Sequence, residues 1–266
     1  MSATALIAHI EGIGVLGPGL PDWPASAAAL AGSSPYQGAR TVLPIPNALP
    51  SAERRRAGRV VRLALAVGAE AVAQSGADAR SLPTVFCSSG GDGDNCHEIC
   101  SALATDERFI SPTRFHNSVH NAAAGYWSIA YGCTEASVTL CAFDGSFGAG
   151  LLEAVSQVAS GAGPVLLVAY DIDYPPPLHA QRRIPDAFGL SLLLAPAKSP
   201  RSLASIGVSL CQLASTRLDR PEFEALRASN PAARGLPLLE HLAQARAGTV
   251  ILDYLDTARV AIEIHA

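Results

Sequence analysis

Three observations predict an α/β layered fold with helices on both faces of a sheet. Strand-like and helix-like segments alternate from the N-terminus to about residue 195. Two short apolar runs, PVLLVAY (164–170) and LSLLL (190–194), lack the polar alternation of a half-exposed strand, so both faces are expected to be covered. The helical segments in between carry their apolar residues at helical spacing. A chain of 266 residues can bury such a core without disulfides or metals.

Taken in order, residues 4–15 form a first strand, ended by Gly17-Pro18-Gly19. The stretch 16–50, rich in Pro, Gly and Ser, is a loop with a short Ala-rich helix near 24–31. A long amphipathic helix is predicted over 53–74, where Val60, Val61, Leu63, Leu65, Val67 and Ala71 recur on one face before Gly76. Val85-Phe86-Cys87 is a buried strand that breaks into the turn Ser88-Ser89-Gly90-Gly91-Asp92, and a helix starts at His97. That turn lacks the Lys and Thr of a phosphate loop, and its acidic residues would repel phosphate. Residues 136–143 are strand-like and 145–160 helical. Beyond Pro196, strands are expected at 205–213, 249–255 and 260–264, with helices near 222–228 and 236–245. These are too few for a second complete α/β half, so they are expected to complete the sheet of the first. One domain of 1–266 results, with a larger N-terminal portion (residues 1–200) and a reduced C-terminal portion (residues 201–266).

Composition narrows the function classes. A net charge of -4 and a pI near 6.0 point away from nucleic acid and anionic membrane surfaces. No uncharged apolar run reaches the roughly 18 residues of a membrane span. The six cysteines show no framework spacing, and the N-terminus lacks a basic, apolar leader pattern, which together predict a cytoplasmic protein with reduced thiols. Charged residues are only 16% of the chain, against about 25% in an average one, so burial against a partner is expected.

The densest stretch is FHNSVHNAAAGYWSIAYGCTEASVTLCAFDGSFGAGLLEA, residues 115–154. Together with PTVFCSSGGDGDN, Ser111-Pro112, Asn121-Ala122-Ala123-Ala124-Gly125, Tyr131-Gly132, PVLLVAYD and Pro177-Leu178, it resembles, motif after motif, the N-terminal half of β-ketoacyl synthases of the thiolase fold. It is similar in particular to the short chain-length factors of bacterial aryl polyene pathways. The resemblance covers roughly 5–215 and implies a five-stranded core layer with an abbreviated second half.

Carried over without gaps from Gly125, the family's spacing puts the nucleophile position on Asp144 and leaves Cys141 inside the preceding strand. A ketosynthase thiol needs a helix N-terminus, where unpaired N–H groups favour thiolate and an oxyanion. Asp144 stands just before the helix GSFGAGLLEA, where aspartate is also a favoured cap, and its carboxylate is a poor carrier of an acyl chain. The family's paired histidines and lysine also lack counterparts: His241, His265 and Lys198 stand outside the expected glycine-rich contexts.

The resemblance therefore implies a non-catalytic subunit without cofactor or metal, paired with an active β-ketoacyl synthase and served by an acyl carrier protein. It places Arg114, Phe115, His116, Asn117, His120, Asn121 and Phe147 at the pocket or the interface, with buried amide and imidazole hydrogen bonds expected at the His and Asn positions. The alternative is a short active ketosynthase or thioester transferase using Cys141, with His116 or His120 as base. Cys96, Cys100, His116 and His120 also spell C-x3-C-x15-H-x3-H, superficially a zinc pattern; the two cysteines are expected instead to be small buried hydrophobes.

Overall fold

The computed structural model describes residues 5–161 and 163–265. Strand β1 (Leu6–Leu16) leads to helix α1 (Trp23–Leu30), which starts where the Asp22 carboxylate accepts the Ala25 N–H at 2.8 Å. The long helix expected over 53–74 is two helices, α2 (Ser51–Arg56) and α3 (Arg59–Ser75). Ala57 and Gly58 are extended, with ψ of 112° and 177°, so the ladder restarts at Gly58, a residue with little intrinsic cost to leaving the helix. Helix α3 stops at Gly76 in the left-handed conformation, φ 68°.

Strand β2 (Thr84–Cys87) is followed by α4 (Gly93–Leu103), which begins before His97 because the Asp92 carboxylate caps the Asn95 N–H at 2.9 Å. Helices α5 (Pro112–Asn117) and α6 (Ala122–Tyr131) precede β3 (Ser137–Leu140) and α7 (Ser146–Ala159). Then come β4 (Val165–Asp171), α8 (Leu178–Gln181) and β5 (Phe188–Ala195). The remaining elements are β6 (Ala204–Cys211), α9 (Pro221–Ser229), α10 (Leu236–Ala243), β7 (Gly248–Asp253) and β8 (Arg259–His265).

Among the described residues, all eight strands join one sheet in the order β3-β2-β4-β5-β1-β6-β8-β7. The first five strands make a contiguous block, as expected for a thiolase-type layer; the tail's three strands lengthen that same sheet through β1–β6 pairing. Parallel pairing is confined to β3-β2-β4, and every other neighbour is antiparallel. Strands β4 and β5 are buried at every position, which is what their unbroken apolar runs require.

Each face has its own core. Residues of α3 and α6, including Val61, Leu63, Val67 and Trp127, pack on Phe86, Leu166 and Val168. On the opposite face, Phe147, Leu151 and Val155 of α7 meet Val85, Leu167 and Leu192, and α1, α9 and α10 extend the layer over the tail strands. A register shift between Ile10 and Gly12 places Ile10, Ile13 and Val15 together in this second core. Among the described residues no helix is long and apolar enough to cross a membrane.

Candidate functional site at the strand-to-helix bend

Strand β3 ends at Leu140, so Cys141 lies one residue past it rather than within it. The strand is shorter than expected because the chain leaves the ladder: the Ser88 N–H to Leu140 carbonyl bond, 3.3 Å, is its last backbone bond to the β2 side among the described residues. Cys141 is exposed, and its Sγ donates to the Ser89 carbonyl at 3.2 Å.

Residues 143–145 form a single tight turn before α7. Phe143 sits there at φ 51°, a left-handed conformation that is uncommon for a bulky residue and marks a strained elbow. The elbow is tight because the tail presses on it. A Cβ on Gly145 would stand 2.1 Å from the Tyr254 carbonyl oxygen, and one on Gly148 would stand 2.5 Å from that of Asp253. The small residues of GSFGAG thus let the end of β7 seat against the start of α7.

Asp144 does not cap the helix. Gly145 is the N-cap of α7 and no side chain bonds there. The Asp144 carboxylate turns instead to Arg182 Nη2 at 2.8 Å and Arg234 Nη2 at 3.8 Å. The Arg182 guanidinium also lies 3.7 Å over the Phe143 ring. Arg234 reaches Asp253 at 2.6 Å, and Asp253 takes Arg227 at 3.0 Å as well. These cations, with Ser215, hold the Asp253 carboxyl below its ordinary range despite partial burial, which acts the other way. The carboxylate goes to the arginines because each guanidinium offers a full positive charge, whereas the helix end offers only the partial charge of its N–H groups.

The predicted pocket and interface residues separate. Arg114, Phe115, His116 and Asn121 are exposed on α5 and at the start of α6; Arg114 pairs with Glu98 at 3.4 Å. Asn117 is buried as expected: its Nδ2 donates to the Arg56 carbonyl at 2.9 Å and its Oδ1 accepts the Tyr126 hydroxyl at 3.1 Å. His120 Nε2 lies 3.3 Å from the Leu140 carbonyl, which ties the turn between α5 and α6 to the end of β3. His116 and Asn121 do not have the expected buried bonds, because their sides of the segment face outward. Phe147 is fully buried against the Gly235 turn and belongs to the core, not to a pocket. An apolar cavity of about 530 Å³ lies over α5 and α6, lined by Phe115, His116, Val119, Ala122, Tyr126 and Ile129.

Cys96 and Cys100 are exposed rather than buried, since α4 packs on α5 and not on the sheet. Among the described residues no three His, Cys, Asp or Glu side chains converge as metal ligands do, so the zinc-like spacing is not a cluster in space. His241 is buried against Arg246, and burial lowers its basicity; it does not line the bend, and neither does Lys198.

Beneath the bend, Asp171 ends β4 with only 2% of its surface exposed. Its Oδ1 accepts Ser88 Oγ, Ser89 N and Ser89 Oγ at 3.1, 2.9 and 2.7 Å, while Oδ2 has no partner among the described residues. Burial raises the carboxyl to about 6, more than these bonds lower it. Between pH about 4 and about 6 the folded chain therefore holds a proton that the unfolded chain has released, and stability falls as pH rises through that window, by about 3 kcal/mol in all. Above it this contribution is flat. Asp171→Asn keeps the acceptor and removes the charge, so denaturation midpoints at pH 4.5 and 7 should converge in the variant. An unchanged gap would assign the pH dependence to another group.

The sequence profile of the β-ketoacyl synthase N-terminal domain matches residues 25–252. The chain belongs to the β-ketoacyl synthase family. No curated protein sequence matches it. Among solved structures, a ketosynthase in complex with its chain length factor from Xenorhabdus doucetiae aligns at 20% identity and TM-score 0.72, covering 97% of this chain and 99% of that one. The ishigamide ketosynthase/chain length factor aligns at 15% identity and TM-score 0.72, with the same coverage. The type II polyketide synthase complex AntDE:AntF, an acyl-carrier protein with its ketosynthase bound to the hexaketide, aligns at 12% and TM-score 0.76, covering 98% and 99%. At these identities the likeness establishes the fold, a ketosynthase-like layer spanning nearly the whole of each chain.

The residues that hold the elbow in this ketosynthase-family chain, Arg182, Arg234 and Asp253, carry no motif that would single them out in the sequence. One signal is present there: eighteen arginines beside a single lysine. Such a bias suits planar, bidentate pairing with carboxylates.

Proposed function

We propose that the chain is a non-catalytic chain-length-factor subunit that pairs with an active β-ketoacyl synthase and limits how far a carrier-bound polyene chain is extended. One observation carries the reading: at the elbow where a ketosynthase needs a thiolate, the side chain is a carboxylate clamped by Arg182 and Arg234. A carboxylate held in two ion pairs cannot form the thioester on which condensation depends.

The surface around β3 supports a partner. β3 is an edge strand, and Phe143 just past it and Phe115, Val119 and Ile129 of the α5–α6 segment expose 63, 69, 53 and 46% of their surface, respectively. Two cavities lie on this part of the chain, the apolar one over α5 and α6 and a second of about 400 Å³ at the end of β3, bordered by Leu140, Cys141, Leu152 and Tyr254. A catalytic ketosynthase is the partner proposed, an acyl carrier protein the source of substrate, a bacterial aryl polyene pathway in the cytoplasm the setting.

Co-expression with candidate ketosynthases, followed by assay with acyl- and malonyl-carrier substrates, tests this. The pair should condense and the isolated chain should not. With Phe115→Ala the reconstituted pair should release longer chains, and with Phe115→Trp shorter ones, because Phe115 lines the cavity over α5. Product lengths unaffected by either substitution would leave a supporting subunit that does not measure the chain.

The exposure of Cys141 favours one other reading, a short ketosynthase or transferase using that thiol with His120 beside the Leu140 carbonyl. Turnover by the isolated chain that vanishes in Cys141→Ser would establish it and end the subunit reading.

A further inference from the structure

Behind the elbow lies a small cavity of about 130 Å³, lined by Asp144, Arg182, Arg183, Ile184, Pro231 and Arg234. Three arginines share that lining with one carboxylate. Arg183 is exposed and pairs with no carboxylate among the described residues. The second acid in reach, Asp253, is already shared by Arg234 and Arg227. The balance at the cavity is therefore positive.

Two further features suit the cavity to a ligand. The guanidinium groups are held in place before any ligand arrives: Arg182 lies over the Phe143 ring at 3.7 Å, and Arg234 is fixed by Asp253 at 2.6 Å. Yet their pairing is incomplete. The Nε atoms of both Arg182 and Arg234 are buried without a hydrogen-bond partner, and Arg234 reaches Asp144 only at 3.8 Å. One carboxylate therefore faces more guanidinium donors than it can take up.

We propose that this cavity binds a compact oxyanion, a phosphate or a carboxylate. Planar guanidinium forks match both in geometry. The volume admits a group of that size and excludes an acyl chain or a nucleotide, whose sites usually run to about 300 Å³ or more. Asp144 acts as the resident anion, which holds the arginines together when the site is empty and repels an incoming charge. This assignment does not rest on the subunit reading, since every residue involved belongs to the isolated chain.

Calorimetric titration of the isolated full chain with inorganic phosphate and, separately, with acetate, at ionic strength held constant with sodium chloride, tests it. Saturable binding of at least one of the two is expected, and the stronger binder identifies the oxyanion class. Arg183→Gln, at an exposed position that leaves the fold intact, should weaken binding at least fivefold. Asp144→Asn should tighten it several-fold by removing the repulsion, an effect in the direction opposite to mere damage. No saturable heat with either anion, or binding unchanged in both variants, would overturn the proposal. Neither result bears on pairing with a ketosynthase, which co-purification reads separately.

Discussion

Gly14→Val is expected to yield no stably folded protein. Gly14 lies on β1, in the middle of the sheet between β5 and β6, and faces α3. A Cβ there would stand 1.9 Å from the Val67 carbonyl oxygen and 2.8 Å from its carbon. The same approach recurs at Gly12, where a Cβ would meet the Ala71 carbonyl oxygen at 2.0 Å. These are helix backbone atoms, so no side chain can rotate aside. The helix would have to lift, uncovering Val61, Leu63, Ala64, Val67 and Ala71, all of which are at most 1% exposed.

The loss should exceed about 4 kcal/mol, a large fraction of the 5–15 kcal/mol that holds a typical domain. Gly125→Ala in α6 is the matched control, because a Cβ at that position meets nothing within 4 Å and the helix should gain up to about 1 kcal/mol. Thermal melts followed by circular dichroism compare the two. A Gly14→Val chain that melts within a few degrees of the wild type would mean that α3 does not lie on β1 as described.

Thr139→Pro should separate folding from partnership. The Thr84 N–H bonds to the Ala136 carbonyl and the Ser88 N–H to the Leu140 carbonyl, so the even positions of β3 face β2. By the alternation of a strand, the N–H and C=O of Ser137 and Thr139 point to the open edge. Proline at 139 removes an outward donor and spares the β2 ladder, the one placement in which a strand tolerates it. The isolated variant should melt close to wild type, whereas association with a ketosynthase through this edge should weaken at least tenfold, as read by co-purification and by titration of the two chains. Full association with the variant would show that the partner docks elsewhere, and the exposed Phe115, Val119 and Ile129 would then need another explanation.

Several elements are legible in the sequence. The unbroken apolar runs at 164–170 and 190–194 are β4 and β5, buried at every position, because a strand covered on both faces has no place for a polar residue. The stripe from Val60 to Ala71 is the buried face of α3. Its division from α2 is not legible, because Ser51–Arg56 are mostly polar helix formers that continue the stripe's helix without an apolar face of their own, and the break is recorded in the extended backbone of Ala57 and Gly58.

Motif order locates the bend, but residue preferences misjudge its chemistry in two respects. Aspartate before a helix is a good cap when nothing competes for it, and here Arg182, which lies 38 residues further along the chain, competes successfully. Cys141 is expected inside the strand because residue preferences do not report where a ladder stops. Cys96 and Cys100 are expected to be buried on the strength of side-chain size alone, yet whether a helix face is covered depends on which element lies against it.

The sequence by itself determined the class of fold, the order of its elements and the family. Each of these is written in local periodicity or in the spacing of motifs. Only the tertiary structure decided that the tail joins the sheet through β1–β6 pairing, that the end of β7 presses on Gly145 and Gly148, and that Asp144 is held between Arg182 and Arg234. Those contacts join residues far apart in the chain, and the energy that selects them is the pairing of charges and the close approach of backbones, neither of which leaves a periodic mark in the sequence.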